Sequence, residues 1–182
     1  MLDFAVGHEE ELRQNMRSTM FDDKFKFENY GSYYDDFKLD KTIAWNNIQC
    51  VSYDEEKGKV IGYMAVCIDR DAGNLTSLRI INFSNNKELF AADLKKFLLR
   101  LIQREDLNKI SFSVIVGNPI ENTYDKIIKK YGGRIVGIYE KDIKLNDGKI
   151  YDKKSYEIFT EEIRHRLRMR TWRKTEIWHM YK

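Results

Sequence analysis

Two periods of apolar positions divide the chain. From Glu9 to Phe21, Leu12, Met16 and Met20 recur every fourth residue, the spacing of a helix with one narrow buried stripe. The next stretch, Phe21 to Phe37, sets Phe21, Phe25, Phe27, Tyr30, Tyr33, Tyr34 and Phe37 among Asp and Lys residues and breaks at Gly31. It reads as a second short helix or an ordered loop. The period then drops to two. Ile43 to Tyr53 and Val60 to Ile68 predict strands joined through the polar turn Asp54 to Gly58, and Leu75 to Phe83 predicts a third after the turn Asp69 to Gly73. Connections this short require antiparallel neighbours.

The helical period returns from Asn86 to Glu105, where Phe90, Leu94, Phe97, Leu98, Leu101 and Ile102 share one face. Ile110 to Val116 is nearly all apolar, as a strand covered on both faces should be, so strand, helix and strand predict a parallel pair with a right-handed crossover. A second well-marked helix follows. Asn118 is placed to cap it, Pro119 stands at its first position, Glu121 lies three residues after the cap, and Gly132-Gly133 ends it. Its stripe is Ile120, Tyr124, Ile127, Ile128 and Tyr131. Arg134 to Leu145 and Lys149 to Phe159 then predict a long hairpin through Asn146-Asp147-Gly148. The sum is an α+β fold of layered type, with one domain over residues 1–159 and a basic, aromatic extension over residues 160–182.

At 182 residues, with 42% apolar and 34% charged, the chain has enough apolar surface for one core without a metal or disulfide staple. Cys50 and Cys67 have no partner motif and read as buried free thiols of a reducing compartment. No apolar run approaches the roughly 18 residues of a membrane span, and nothing at the start reads as a signal peptide, so a cytoplasmic location without membrane contact is expected. The net charge of +3 is uneven. From Thr160 onward seven Lys and Arg stand against three Glu, leaving the body of the chain near neutral.

The turn Phe83 to Glu88 joins a core strand to the longest helix, and a helix start offers unpaired N–H groups and positive potential to an anion. Lys87 adds a charge there. Asn85 and Glu88 also satisfy an ordinary helix start that needs no ligand.

The order of elements from about Thr42 to Phe159 resembles that of the GNAT superfamily of N-acetyltransferases. The local match is best from Val116-Gly117-Asn118-Pro119 through Ile127-Ile128-Lys129-Lys130-Tyr131 to Gly132-Gly133-Arg134-Ile135-Val136-Gly137, which is similar to the family's fifth strand, Asn-started helix and sixth strand. The resemblance implies a mixed, mostly antiparallel sheet whose fourth and fifth strands splay around acetyl-CoA as co-substrate. It places pantetheine along Ile81, Asn82 and Phe83, and the pyrophosphate at Asn86, Lys87, Glu88, Leu89, Phe90 and Ala91, with Asn118 on the facing helix. The family's phosphate loop reads Gln or Arg, two residues, Gly, one residue, then Gly or Ala. Here only the small last residue is kept, and a side chain at Leu89 or Phe90 hinders close approach of backbone to phosphate.

A tyrosine on the helix after the fifth strand protonates the leaving thiolate in many members. By that analogy the position falls on Ile128, and Tyr124 lies one turn earlier on the same face as the candidate acid. Asp69, Asp71 and Glu140 are candidate bases, none distinguished from a solvated charge. His8, His165 and His179 form no metal or triad spacing. The aromatic run Phe21 to Phe37 lies on what the resemblance makes the acceptor side. There Asp22, Asp23, Asp35 and Asp36 would attract a cationic amine, unless the rings simply pack on the sheet.

In the extension, Arg164, Arg166, Arg168 and Arg170 alternate ahead of Trp172, Trp178 and Tyr181. Such a stretch suits phosphate contacts and stacking, but a near-neutral body argues against nucleic acid and for packing or contact with a second copy of the chain, as in a homodimer. The expected function is transfer of an acetyl group to an amine of a small molecule or protein. The alternative is a GNAT-like binding module that has lost catalysis.

Overall fold

In a computed structural model of the chain, residues 1–20, 22–28, 39, 46–85 and 87–168 are described. Strand β1 is Leu2–Phe4, helix α1 Glu9–Thr19, and the antiparallel meander β2, β3 and β4 is Asn47–Asp54, Lys59–Asp69 and Asn74–Asn82. Helix α2, Lys87–Ile102, leads to β5, Lys109–Ile115; α3, Glu121–Tyr131, leads to the hairpin of β6, Arg134–Lys144, and β7, Ile150–Phe159. A last helix, α4, covers residues 160–168. The seven strands form one sheet in the order β1-β2-β3-β4-β5-β7-β6, antiparallel except for the parallel pair β4 and β5.

Alternation along β3 divides the core between the two faces of the sheet. Val60, Tyr63 and Ala65 meet Leu12 and Met16 of α1, Phe25 and Ile81 on one side. Ile61, Met64, Val66 and Ile68 meet Phe90, Phe97 and Leu101 of α2, Ile128 of α3 and Ile163 of α4 on the other. Gly62 lets α2 come close. A Cβ there would stand 2.2 Å from the Phe90 ring and 2.9 Å from the Ile81 carbonyl oxygen. Gly62→Ala should therefore destabilise by about 1–3 kcal/mol through overpacking, read as a lowered denaturant midpoint at unchanged slope.

The expected elements stand with shifted ends. Helix α2 stops at Ile102 rather than Glu105, and Arg164 donates to the carbonyls of Ile102 and Arg104 at 3.2 and 2.8 Å, capping its C-terminus. Arg166 does the same for α3 through Lys130 O at 2.9 Å. Those two arginines thus serve helix ends, and Ile163 is 5% exposed in the core. Gly132 ends α3 in the left-handed region at φ 82°, as its position predicts. Asn118 accepts from Ile120 N, Glu121 reaches back to Gly117 N, and the regular helix begins only at Glu121. Cys67 departs from expectation. Cys50 is buried, with its thiol pushed up to about 11 by desolvation, but Cys67 continues the Tyr63–Ala65 row past α1 and is exposed. Expected features at Phe21, residues 29–38, residues 43–45, Asn86 and residues 169–182 lie outside the described residues.

Candidate active site

Strands β4 and β5 pair only at Asn74 with Lys109 and Leu75 with Ile110. Beyond that they part. Strand β5 is paired along its whole length with β7, and β4 is held on either side of a bulge by β3, so each follows its other neighbour. The divergence starts at a bulge where Ser77 and Leu78 oppose the single residue Val66, with Ser77 at φ 53°, a conformation that non-glycine residues seldom adopt. Phe83 N donates to Ile61 O, and the antiparallel alternation from that bond leaves the backbone groups of Ile80 and Asn82 facing the gap.

The gap holds a cleft of about 630 Å³. Thr76 to Ile80 form one wall and Ser111 to Ile115 the other, with Asn118 and Ile120 from the turn before α3, Tyr124 from α3, Tyr139 from β6, and Tyr156 and Glu157 from β7 closing the side. Phe27 and Glu28 reach it from the segment after α1. Among the described residues its polar content is a set of hydroxyls, the Asn118 amide, two carboxylates and one guanidinium, that of Arg79.

The carboxylates differ in kind. Glu157 accepts from Lys109 at 2.9 Å and from Arg134 at 2.6 Å, and these bonds hold it below the usual carboxylate range. Glu28 has no such partners among the described residues. Desolvation pushes its carboxyl up, opposed by the nearby charge of Arg79, whose guanidinium donates to the Glu28 carbonyl at 3.5 Å. Tyr124 packs edge-on against Phe112, ring centres 5.0 Å apart, and burial with the Glu28 charge raises its phenol to about 12. The cleft thus brings together a basic carboxylate and a phenol that stays protonated, drawn from segments 96 residues apart in sequence.

Asp125, bonded to the cleft residue Tyr156, is not available as a base. It accepts from Lys154 at 2.8 and 2.9 Å and from Tyr156 at 2.8 Å, which lowers it, while burial first and this bond second raise Tyr156 to about 12.

The sequence candidates fall on both sides of this boundary. Tyr124 and Asn118 line the cleft, whereas Ile128 is in the core. Ile81 is buried on the α1 side at 1% exposure, Asn82 accepts from Ser84 N at 3.0 Å, and Phe83 is paired with β3. Among the phosphate-turn residues, Leu89 and Phe90 turn into the core, so their bulk does not stand over the turn, and Lys87, Glu88 and Ala91 are exposed. Asn86 lies outside the described residues. Asp69 caps its own turn through Asp71 N and Ala72 N, and neither it, Asp71 nor Glu140 lines the cleft. Asp22 accepts from Lys24 N, Asp23 is exposed, and Asp35 and Asp36 lie outside the described residues. Phe25 packs under α1. Glu28, Arg79 and Ser77 carried no sequence signal of their own, though Glu28 stands inside the aromatic run assigned to the acceptor side. Among the described residues no cluster of three metal-ligating side chains forms, and no helix is long and apolar enough to cross a membrane.

No protein-family model matches the sequence, and no curated protein does. Solved structures do match the fold. The spermidine N-acetyltransferase SpeG from Vibrio cholerae, in a single-site variant, aligns over 90% of this chain and 96% of its own at 17% identity and a TM-score of 0.63. RimL, a ribosomal L7/L12 alpha-N-protein acetyltransferase solved with coenzyme A, aligns over 87% and 92% at 11% identity and 0.64. A GCN5-related N-acetyltransferase from Brucella melitensis aligns over 88% and 76% at 15% identity and 0.59. The chain therefore has the GNAT fold: a mixed seven-stranded sheet, mostly antiparallel, with one parallel pair.

Proposed function

With that fold as premise, we propose that the protein transfers an acetyl group from acetyl-CoA to an amine, with Glu28 as general base and Tyr124 as hydrogen-bond donor to the departing sulfur. The observation that carries the reading is the meeting of these two groups where β4 and β5 part. Acetyl-CoA fits what the chain offers. The free backbone of Ile80 and Asn82 suits the amides of pantetheine, and Leu89 and Phe90 leave the turn Phe83 to Glu88 open to phosphate, with Lys87 beside it. The co-substrate supplies an activated acyl group as a thioester.

The residues then divide the work by charge. An amine arrives as an ammonium ion and must lose a proton before its nitrogen has a lone pair, and Glu28 accepts it directly or through one water. Backbone N–H groups of β4 beside the bulge at Ser77 stabilise the negative charge that grows on the carbonyl oxygen. Tyr124 faces the charge left on sulfur. The acceptor is an amine of a small molecule or of a protein. SpeG and RimL carry those two kinds of acceptor in their names, spermidine and a ribosomal protein.

A second reading, a GNAT-like module that binds without turnover, draws on the missing glycine at the phosphate turn. Thermal unfolding with and without acetyl-CoA separates the cases first. Ligand at about 100 times its dissociation constant should stabilise by about 2.7 kcal/mol. No shift at millimolar acetyl-CoA overturns both readings as to CoA, and a shift without acetylation of any amine in a panel selects the second.

A further inference from the structure

The segment that carries Glu28 is tied down at both ends. After α1 it closes three short turns, Phe25 N to Asp22 O, Lys26 N to Asp23 O and Glu28 N to Phe25 O. Phe25, at 8% exposure, is sunk among Leu12, Met16 and Tyr63. The next two residues grip the far end of the sheet. The Lys26 ammonium donates to Tyr151 Oη at 3.4 Å and lies 3.7 Å from Asp147, while Tyr151 Oη donates to Asp147 Oδ2 at 2.6 Å. The Phe27 ring meets the Tyr151 ring edge-on at 6.2 Å, and both rest on Ile115, Ile143 and Leu145. Glu28 follows directly. The segment is thus a strap across the cleft mouth from α1 to the tip of the β6–β7 hairpin, and Tyr151 is the residue on which its far end converges.

Resting on the base assignment above, we propose that Tyr151, oriented by Asp147, is a positioning residue that holds Glu28 over the cleft by anchoring Lys26 and Phe27. Exposed ion pairs contribute little to global stability, so these contacts have more effect on where the strap lies than on whether the chain folds. Position matters for a base. Burial is what lifts the Glu28 carboxyl, and a strap released from Tyr151 lets water reach it. Among the described residues the other charged or titratable groups facing the cleft are Arg79 from β4, Tyr124 from α3, Tyr139 from β6, and Tyr156 and Glu157 from β7, and the polar and ring contacts of Tyr151 are with Lys26, Phe27 and Asp147 instead.

The test is a carbon-13 NMR titration of side-chain carboxyls in the full chain labelled at Glu, with Glu28 assigned by its loss in Glu28→Gln. In the wild type Glu28 titrates above the ordinary carboxylate range of about 4.3. In Tyr151→Ala its midpoint should fall toward that ordinary range, and in Tyr151→Phe, which keeps the ring on Phe27, by less. With an acetylated amine in hand, the acid limb of the rate profile should move down by the same amount and KM for the amine should rise while KM for acetyl-CoA holds. An unchanged Glu28 midpoint in folded Tyr151→Ala overturns the proposal. Should that variant fail to fold, Tyr151→Phe and Lys26→Met decide the question by the same criterion. The titration needs no turnover, so an absence of acetylation would sink the proposed function and leave this result standing on its own.

Discussion

Glu28→Gln is expected to lower acetyl transfer by about 10²- to 10⁴-fold, the range for loss of a positioned general base. Glutamine keeps the shape and a carbonyl acceptor but cannot take the proton. The variant should fold at least as well as the wild type, because the carboxylate it removes sits in a desolvating site and, among the described residues, Arg79 alone compensates its charge. Acetyl-CoA affinity should hold, since the loss is in a step after binding. The pH dependence makes the assignment specific. Desolvation raises the Glu28 carboxyl, so its basic form is lost as pH falls through that raised value, and kcat/KM should rise with pH across it and then flatten. The substrate ammonium, near 10 for a lysine-like amine, gives a separate limb at higher pH. In Glu28→Gln the lower limb should vanish and the upper one remain. An acid limb retained at full height in the variant would move the base elsewhere.

That residue shows where a sequence stops being informative about its own site. What depends on neighbours in the chain was legible: Gly132 ends α3 because a left-handed residue is needed there, Asp147-Gly148 turns the β6–β7 hairpin, and the apolar run of β5 marks a strand inside the sheet, between β4 and β7. Tyr124 was legible as well, since its phase on α3 puts it one turn before Ile128. Strand β1 was not, being three residues long and held by pairing to β2. The bulge at Ser77 has no local marker either, because Ser77 has no glycine-like freedom and its conformation is set by the register against β3. Glu28, Arg79 and Tyr124 meet through the sheet, and a carboxylate between Phe27 and Asn29 gives no hint of that meeting. The aromatic run was assigned to the acceptor side, and among its described residues the carboxylate that reaches the cleft is Glu28 rather than Asp22 or Asp23. At the turn proposed to take phosphate the reverse holds: Leu89 and Phe90 looked obstructive in sequence and turn inward in the fold.

Tyr124→Phe is expected to lower kcat by about 10- to 100-fold, less than the change at Glu28, and proton affinities explain the difference. The phenol is raised to about 12, whereas a thiol of cysteine type titrates near 8.5. Full transfer of the tyrosine proton to the thiolate is therefore unfavourable by about three orders of magnitude, and solvent is the better final donor. What Tyr124 supplies is one hydrogen bond to a charge that appears only as the carbon–sulfur bond breaks. A bond to a charged group contributes about 1.5–3 kcal/mol, which converts to roughly that loss in rate. Because the charge is absent in the bound substrate, KM for acetyl-CoA should stay within about twofold. Phenylalanine retains the edge-on contact with Phe112, so stability should be unchanged within about 0.5 kcal/mol. The profile against pH should keep its shape at a lower level, with no falling limb in the wild type below about 10, since Tyr124 is still protonated there. Steady-state kinetics of the two proteins between pH 6 and 10 check both statements, and a variant within twofold of wild type would remove Tyr124 from the reaction.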